Sequence, residues 1–249
     1  MNRFARPLVL AAALALTALP AAAQDFSTAQ RGEIEKIIKE YLIRHSEVLQ
    51  EAMAELEKKQ QLAETEKARS AIKNHSDALF NSPRQVVLGN PQGDVTFVEF
   101  FDYNCGYCKR ALTDMVEIMG KDPKLKVVLK EFPVLGPGSV EAAQVAVAVR
   151  MQDKTGKKYL EFHQKLLGGR GQIDKAKALA AAKEIGLDMA RLDKDLKSDE
   201  IGKTLEESMK LAEALGLNGT PSYVIGNDVV IGAVGQAALS QKIQAARQQ

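Results

Sequence analysis

From Arg31 to about Asn74 apolar residues recur three and four positions apart, at Ile34, Ile37, Ile38, Tyr41, Leu42, Val48, Leu49, Met53 and Leu56. The run is otherwise charged and has no glycine or proline after Gly32, so it predicts a long helix with one apolar stripe. A single stripe cannot bury itself. Association with copies of the same helix is the favoured reading; packing back onto its own domain and a mobile arm are the alternatives. Beyond Leu56 the stretch EKKQQLAETEKARS is almost wholly polar and predicts a solvated helical spacer.

The pattern then changes. NSPRQVVLGNPQGD, Asn81 to Asp94, is rich in turn formers and marks a boundary. VTFVEFF, Val95 to Phe101, is an apolar, β-prone run of the length of a buried central strand. Cys105 to Gly120 predicts a helix with Leu112, Met115, Val116 and Met119 on one face, and LKVVLKEFPV, Leu125 to Val134, a second strand ended by Pro133. From Gly138 to Leu215 four or five helical segments follow, separated by breaks that contain glycine or aspartate. SYVIG and VVIG, joined by Asn227 and Asp228, predict a hairpin, and Gln236 to Arg247 a last helix. Two strands joined by a crossover helix make a parallel pair, and a closing hairpin adds antiparallel strands. The expected class is α/β: a thioredoxin topology with a helical block, about residues 138–215, inserted in its middle.

The first residues add a compartment. Arg3 and Arg6 precede an apolar run from Leu8 to Leu19, with small residues at Ala21 and Ala23. That is the pattern of a secretory signal peptide, residues 1–23; Pro20 interrupts the run before it reaches the roughly 20 residues a membrane anchor needs. The expected layout is a helical extension over 24–75 that serves oligomerisation, then a domain over 76–249, working in the periplasm. A net charge of +2 with 27% charged residues gives no electrostatic case for nucleic acid as a partner.

The chain has two cysteines, Cys105 and Cys108. A disulfide closing so short a loop removes about 2 kcal/mol of chain entropy, against nearly 5 for a loop of about a hundred residues. The pair is therefore read for its chemistry. Amides at a helix N-terminus lack partners and favour an anion, so Cys105, placed there, is expected to be the exposed nucleophile. Cys108, one turn on, is expected to be the shielded resolving thiol. Structural zinc needs four ligands, and His45, His75 and His163 share no ligand spacing with the pair, so no metal or other cofactor is expected. Two thiolates that hold a Cu(I) ion are the alternative from another class of function.

Two further signals accompany the cysteines. Gly219-Thr220-Pro221 directly precedes SYVIG. Proline is tolerated at a strand start, and this one is read as facing the disulfide, with the backbone of Thr220 left to pair with an extended substrate. Glu99 lies among Phe97, Val98, Phe100 and Phe101, where a carboxylate is costly unless paired or protonated. Six residues before Cys105, it is a candidate to relay a proton to or from Cys108, with Lys130 as its suggested partner and a solvent-reaching strand edge as the plain alternative.

FVEFFDYNCGYCKR, KEFPVLGPGSVEAAQVA and GTPSYVIG together resemble the DsbA-like branch of the thioredoxin superfamily, from roughly Gly89 to the C-terminus. The resemblance implies thiol-disulfide exchange with exported proteins, Cys105 as attacking and Cys108 as resolving thiol, Pro221 as a cis-proline and Glu99 as the family's buried acid. It also implies a membrane partner that resets the cysteine pair. Gly106-Tyr107 between the cysteines and Thr220 before the proline depart from the Pro-His and Val of strong oxidases and are similar to dimeric disulfide isomerases of the DsbC type. Gly106, Tyr107 and Thr220 are the substrate-contacting candidates. The helical extension resembles that of the suppressor-of-copper-sensitivity C (ScsC-like) proteins, some of which oligomerise through it. Isomerase or reductase action is favoured over net oxidation.

Overall fold

The computed structural model describes residues 26–248; the signal-peptide reading of residues 1–23 lies outside them. The described residues divide into two units, with the boundary between Glu57 and Lys58.

In the first unit, α1 (Thr28–Arg44) opens with a capping box, in which Ser27 Oγ accepts from the Gln30 amide and Gln30 Oε1 accepts from the Ser27 amide. α2 (Ser46–Asn74), whose residues from Lys58 on belong to the second unit, begins two residues after α1 ends, so the expected single helix is two. His45 leaves the helical region at φ −119° and ψ 61°, its ring against Tyr41 and its Nδ1 3.0 Å from Glu47 Oε1. One non-helical residue does not disturb the apolar period, which explains why the pattern reads straight through it. α1 buries no residue, and Ile37, Tyr41, Met53 and Leu56 are exposed.

The second unit is built on one five-stranded sheet in the order β1-β3-β2-β4-β5. β1 (Val86–Gly89) lies within the segment read as turn formers and pairs antiparallel with β3 (Leu125–Glu131) at the sheet edge. It follows a short helix, α3 (Ser76–Phe80). Gly89 is confined to glycine: its φ is +67°, and a Cβ there would stand 2.6 Å from the Leu125 carbonyl oxygen. β2 (Val95–Phe101) runs parallel to β3 and antiparallel to β4 (Ser222–Ile225), which forms a hairpin with β5 (Asp228–Ile231). Both faces of β2 and β3 are covered, the reason these strands read as unbroken apolar runs.

On one face Phe97, Phe101, Val127, Leu129 and Tyr223 join a core with Met115 and Ile118 of α4 (Gly106–Lys121) and Leu239 and Ile243 of α10 (Gln236–Ala246). The buried face of α4 centres on Cys108, Ala111, Met115 and Ile118, while Leu112, Val116 and Met119 of the expected face lie at its margin. On the other face Val98, Phe100 and Val128 pack with Leu79 of α3 and with Leu211 of α9 (Asp199–Ala214). The helical insertion consists of α5 (Pro137–Gln152), α6 (Lys157–Gly168), α7 (Lys175–Glu184), α8 (Met189–Asp195) and α9. α5, apolar almost all round, is the element on which the other four pack. No described helix is long and apolar enough to cross a membrane.

Candidate active site

β2 ends at Phe101, and four residues later Cys105 caps α4 from the N-cap position, one residue before the helix proper. The turn between them is held from within and without. The Asp102 carbonyl accepts from the Cys105 amide at 3.1 Å. The Asp102 carboxylate accepts from the Asn104 amide and the Ser139 hydroxyl on Oδ1, both at 2.7 Å, and from the Val134 and Leu135 amides on Oδ2 at 2.8 and 2.9 Å. Asn104 reaches into the helical insertion: its Nδ2 donates to the Ile173 carbonyl at 2.9 Å and its Oδ1 accepts from the Ile173 amide at 2.7 Å. Lys109, beside Cys108, donates from Nζ to the Gly169 carbonyl at 2.7 Å. Asp102, Asn104 and Ser139 therefore fix the backbone around the nucleophile, a role the sequence reading missed. The signal present was the Asp-Tyr-Asn turn itself, since Asp and Asn favour such local hydrogen bonds.

Both thiols are free. Cys105 is not the exposed thiol expected: only 6% of its surface is accessible, because the Thr220 carbonyl lies over it and accepts from its Sγ at 3.1 Å. The Thr220–Pro221 bond is cis. Cys108 is fully enclosed and hydrogen-bonded to the Cys105 side chain; burial first, then the nearby Glu99 and Cys105, push its thiol far above the usual range. The cysteine side chain makes no capping bond to the helix. Gly106 faces open space, and Tyr107 is 59% exposed with the Arg110 guanidinium 4.6 Å from its ring centre, a cation–π pair set by one-turn spacing. Val134 and Leu135, on the loop bound by Asp102, are also exposed, so apolar surface borders the turn that carries the thiol.

Glu99 is on the inner face of β2, 1% exposed, paired in register with Leu129 of β3 and Tyr223 of β4. Burial first, and then the charge of Asp114, push its carboxyl up to about 8. Its Oε2 has no hydrogen-bond partner. The suggested partner, Lys130, is not there. Lys130 pairs in register with Phe100, and neighbouring residues of a strand point to opposite faces, so its side chain goes the other way. Its Nζ donates to the Ala78 carbonyl at 2.6 Å and lies 3.4 Å from Glu207 Oε1. Burial brings that ammonium down to about 8, against the pull of Glu207.

A second buried acid was not anticipated. Glu131, at the end of β3, accepts from the Tyr159 hydroxyl and, at 3.5 Å, from that of Tyr103. His163 Nδ1 lies 3.4 Å from the Tyr103 hydroxyl, and burial lowers this imidazole to about 3. Among the described residues no group of three His, Cys, Asp or Glu side chains could hold a metal ion.

The arrangement has counterparts in known proteins. Residues 96–244 match the family described as DSBA-like thioredoxin domain, and residues 30–63 the Copper resistance protein ScsC N-terminal domain. A thioredoxin-like oxidoreductase from Silicibacter pomeroyi is 44% identical, covering 70% of this chain and 98% of its own, with a TM-score of 0.66. A linker-deletion mutant of Proteus mirabilis ScsC is 28% identical over 90% of this chain and 98% of its own, with a TM-score of 0.67. The Bordetella pertussis thiol:disulfide interchange protein DsbA is 28% identical over 139 residues, 54% of this chain and 64% of that one. Among other curated relatives, which include Na(+)/H(+) antiporters, the chain spans as little as 25% of the relative's length. The family match covers more than half of the chain and includes both thiols, the cis-proline and the buried acid. The chain belongs to the DsbA-like thioredoxin-domain family of thiol:disulfide oxidoreductases and carries, ahead of that domain, a segment of the ScsC N-terminal type.

Proposed function

We propose that this oxidoreductase works in the periplasm on thiols and disulfides of exported proteins, and that it isomerises or reduces disulfides rather than forming them. The observation that carries the reading is the Cys105 sulfur at the N-cap of α4, under the Thr220 carbonyl, with Cys108 enclosed one turn behind it. Cys105 attacks a client disulfide as its thiolate and forms a mixed disulfide, releasing one client thiolate. Cys108 loses its proton to Glu99, attacks the Cys105 sulfur and displaces the second client thiolate. The resulting Cys105–Cys108 disulfide is reduced by a membrane partner. An extended client segment pairs beside Thr220 when its carbonyl is released from the Cys105 thiol, and Gly106 and Tyr107 form the adjoining surface.

The direction rests on Gly106, Tyr107 and Thr220, and on the exposed stripe of the N-terminal helices. Oligomerisation through residues 24–75, ahead of a catalytic domain over 76–249, presents several thiols to one misfolded client. Refolding of scrambled and of reduced ribonuclease by one preparation tests the direction. Recovery of the scrambled enzyme is expected; oxidation of the reduced enzyme alone would make the protein a net oxidase. A tight Cu(I) complex on anaerobic titration, with negligible exchange, would assign a copper carrier instead. Light scattering of a variant with Ile37 and Tyr41 changed to Glu is expected to give monomers from an oligomeric parent; a monomeric parent would overturn the assembly reading.

A further inference from the structure

The face of the sheet beneath Cys108 holds two buried polar atoms without partners, Glu99 Oε2 and Tyr223 Oη. They belong to residues directly opposite each other in the antiparallel β2–β4 pairing, a geometry that sets their Cβ atoms about 5 Å apart on one face. Both residues are 1% exposed, and Cys108 belongs to the same core cluster. Tyr223 is two residues beyond the cis-proline, so the strand that carries the loop over Cys105 also carries this hydroxyl.

The third group is on α4. Asp114 lies six residues beyond Cys108 and three beyond the buried Ala111, which puts it about 120° around the helix from Cys108, on the flank of the buried face. It is half-buried, between solvent and the core. Its charge acts on both Glu99 and Tyr223, raising each. The titratable groups that act on the Glu99–Tyr223 pair are Asp114 and Cys108 from α4 and Cys105 at its N-cap. β3 sets Leu129 opposite Glu99, with Glu131 two residues on along the same face, and α10 adds Leu239 and Ile243 to this core.

We propose that Asp114 and Tyr223 are positioning residues for the release of the mixed disulfide: Tyr223 donates a hydrogen bond to Glu99 when it ionises, directly or through one water, and Asp114 passes the proton between Glu99 and solvent. The inference rests on the reading of Glu99 as the proton acceptor for Cys108. The step balances without an added reagent. The Cys108 thiol gives its proton to the Glu99 carboxylate and its sulfur bonds to that of Cys105; the Cys105–client S–S bond breaks, and the client sulfur leaves with the electron pair. The proton goes on from Glu99 by way of Asp114 to solvent, and the client thiolate takes one from solvent. An acid sealed in the core with no such outlet could not be reset between turnovers.

The two residues act in opposite directions on the ionised carboxylate, which separates them from mere supports of the fold. Release of a fluorescent peptide from its mixed disulfide with Cys105, followed by stopped flow from pH 6 to 10, is expected to rise with pH through the ionisation of Glu99. Asp114→Asn removes a like charge and is expected to move the midpoint down by about one pH unit; Tyr223→Phe removes a donor to the anion and is expected to move it up by a similar amount. Asp114→Asn is also expected to lower the plateau rate several-fold. Midpoints that coincide with the parent in both variants, with Glu99→Gln abolishing the pH dependence, would overturn this inference alone. A parent-like profile in Glu99→Gln would overturn the reading beneath it as well. A melting temperature lowered with the midpoints unmoved would make both residues structural and would equally refute the proposal.

Discussion

β2 and β3 are neighbours of equal length, seven residues each, with the same sequence of buried and half-buried positions, and each encloses one glutamate. In both, burial is the leading cause that pushes the carboxyl up to about 8. What surrounds the two carboxyls differs. Glu131 receives the Tyr159 and Tyr103 hydroxyls and ties the sheet to the helical insertion, whereas Glu99 keeps an oxygen without a partner beneath the resolving thiol. A displaced ionisation therefore does not by itself distinguish an acid kept for chemistry from one kept for architecture. Partners do: the satisfied acid is fixed, and the unsatisfied one has a hydrogen-bonding position left for a moving proton.

That distinction can be broken most sharply at Glu99. Glu99→Gln is expected to slow release of the Cys105-linked client about 100-fold, with no loss in the urea midpoint, measured by quenched mixed-disulfide assays beside equilibrium unfolding. A loss of stability without a loss of rate would reverse the roles assigned to the two acids. Glu131→Leu keeps the volume but removes the acceptor shared by the Tyr159 and Tyr103 hydroxyls, the second of which also meets His163 Nδ1. A loss of about 2 to 3 kcal/mol in unfolding free energy is expected, because buried donors then lack partners, while exchange per folded molecule stays at the parent's rate. A strong fall in that rate would show that the architectural acid also serves the chemistry.

The sequence allows this contrast to be seen only in part, and the reason is the distance over which each feature is set. VTFVEFF, the closing hairpin and the five insertion helices announce themselves through local period, and the cysteines and Thr220-Pro221 sit in short motifs. β1 escaped because four residues between Pro83 and Pro91 become a strand only when β3, nearly forty residues later, pairs with them. Alternation along the strands suggests Lys130 for Glu99, but parallel register places it opposite Phe100, one residue out of step. The turn before Cys105 looked like any loop, because Asn104 finds Ser139 and Ile173 at separations of 35 and 69 residues. The Glu131 cluster was hidden for the same reason: its tyrosine donors lie 28 residues to either side.

Stability against pH tests whether both acids are enclosed at all. A carboxyl at about 8 in the fold and near 4.5 when unfolded keeps its proton longer when folded, so its share of stability is full below 4.5 and is lost as pH rises toward 8. His163, neutral in the fold and lowered from 6.5 to about 3, works in the opposite sense and offsets one carboxyl up to pH 6.5. Unfolding free energy is therefore expected to fall fastest between pH 6.5 and 8, by about 1.4 kcal/mol per pH unit for each acid. Glu99→Gln and Glu131→Gln should each halve that slope, as read from urea midpoints. A slope unchanged in either variant would mean that its carboxyl is open to water.

The smallest effect is expected on the opposite face of the same sheet, where Lys130 supplies a buried charge that is neither satisfied by tyrosines nor near a thiol. Its ammonium is lowered from 10.5 to about 8, so the cost of burying the charge is present below pH 8 and fades as pH rises to 10.5. Lys130→Met removes that cost together with the bonds to the Ala78 carbonyl and Glu207, and Glu207 retains Arg84 at 3.4 Å. Near-cancellation follows, as for other buried pairs exchanged for apolar side chains: a change within about 1 kcal/mol at pH 7, and one less favourable to the variant at pH 9.5. Exchange activity should be untouched, since the side chain faces away from Cys108. A large loss of stability at pH 7 would instead make the amine, like Glu131, a fixed part of the architecture, and buried charge on both faces of this sheet would then follow the rule of satisfied partners.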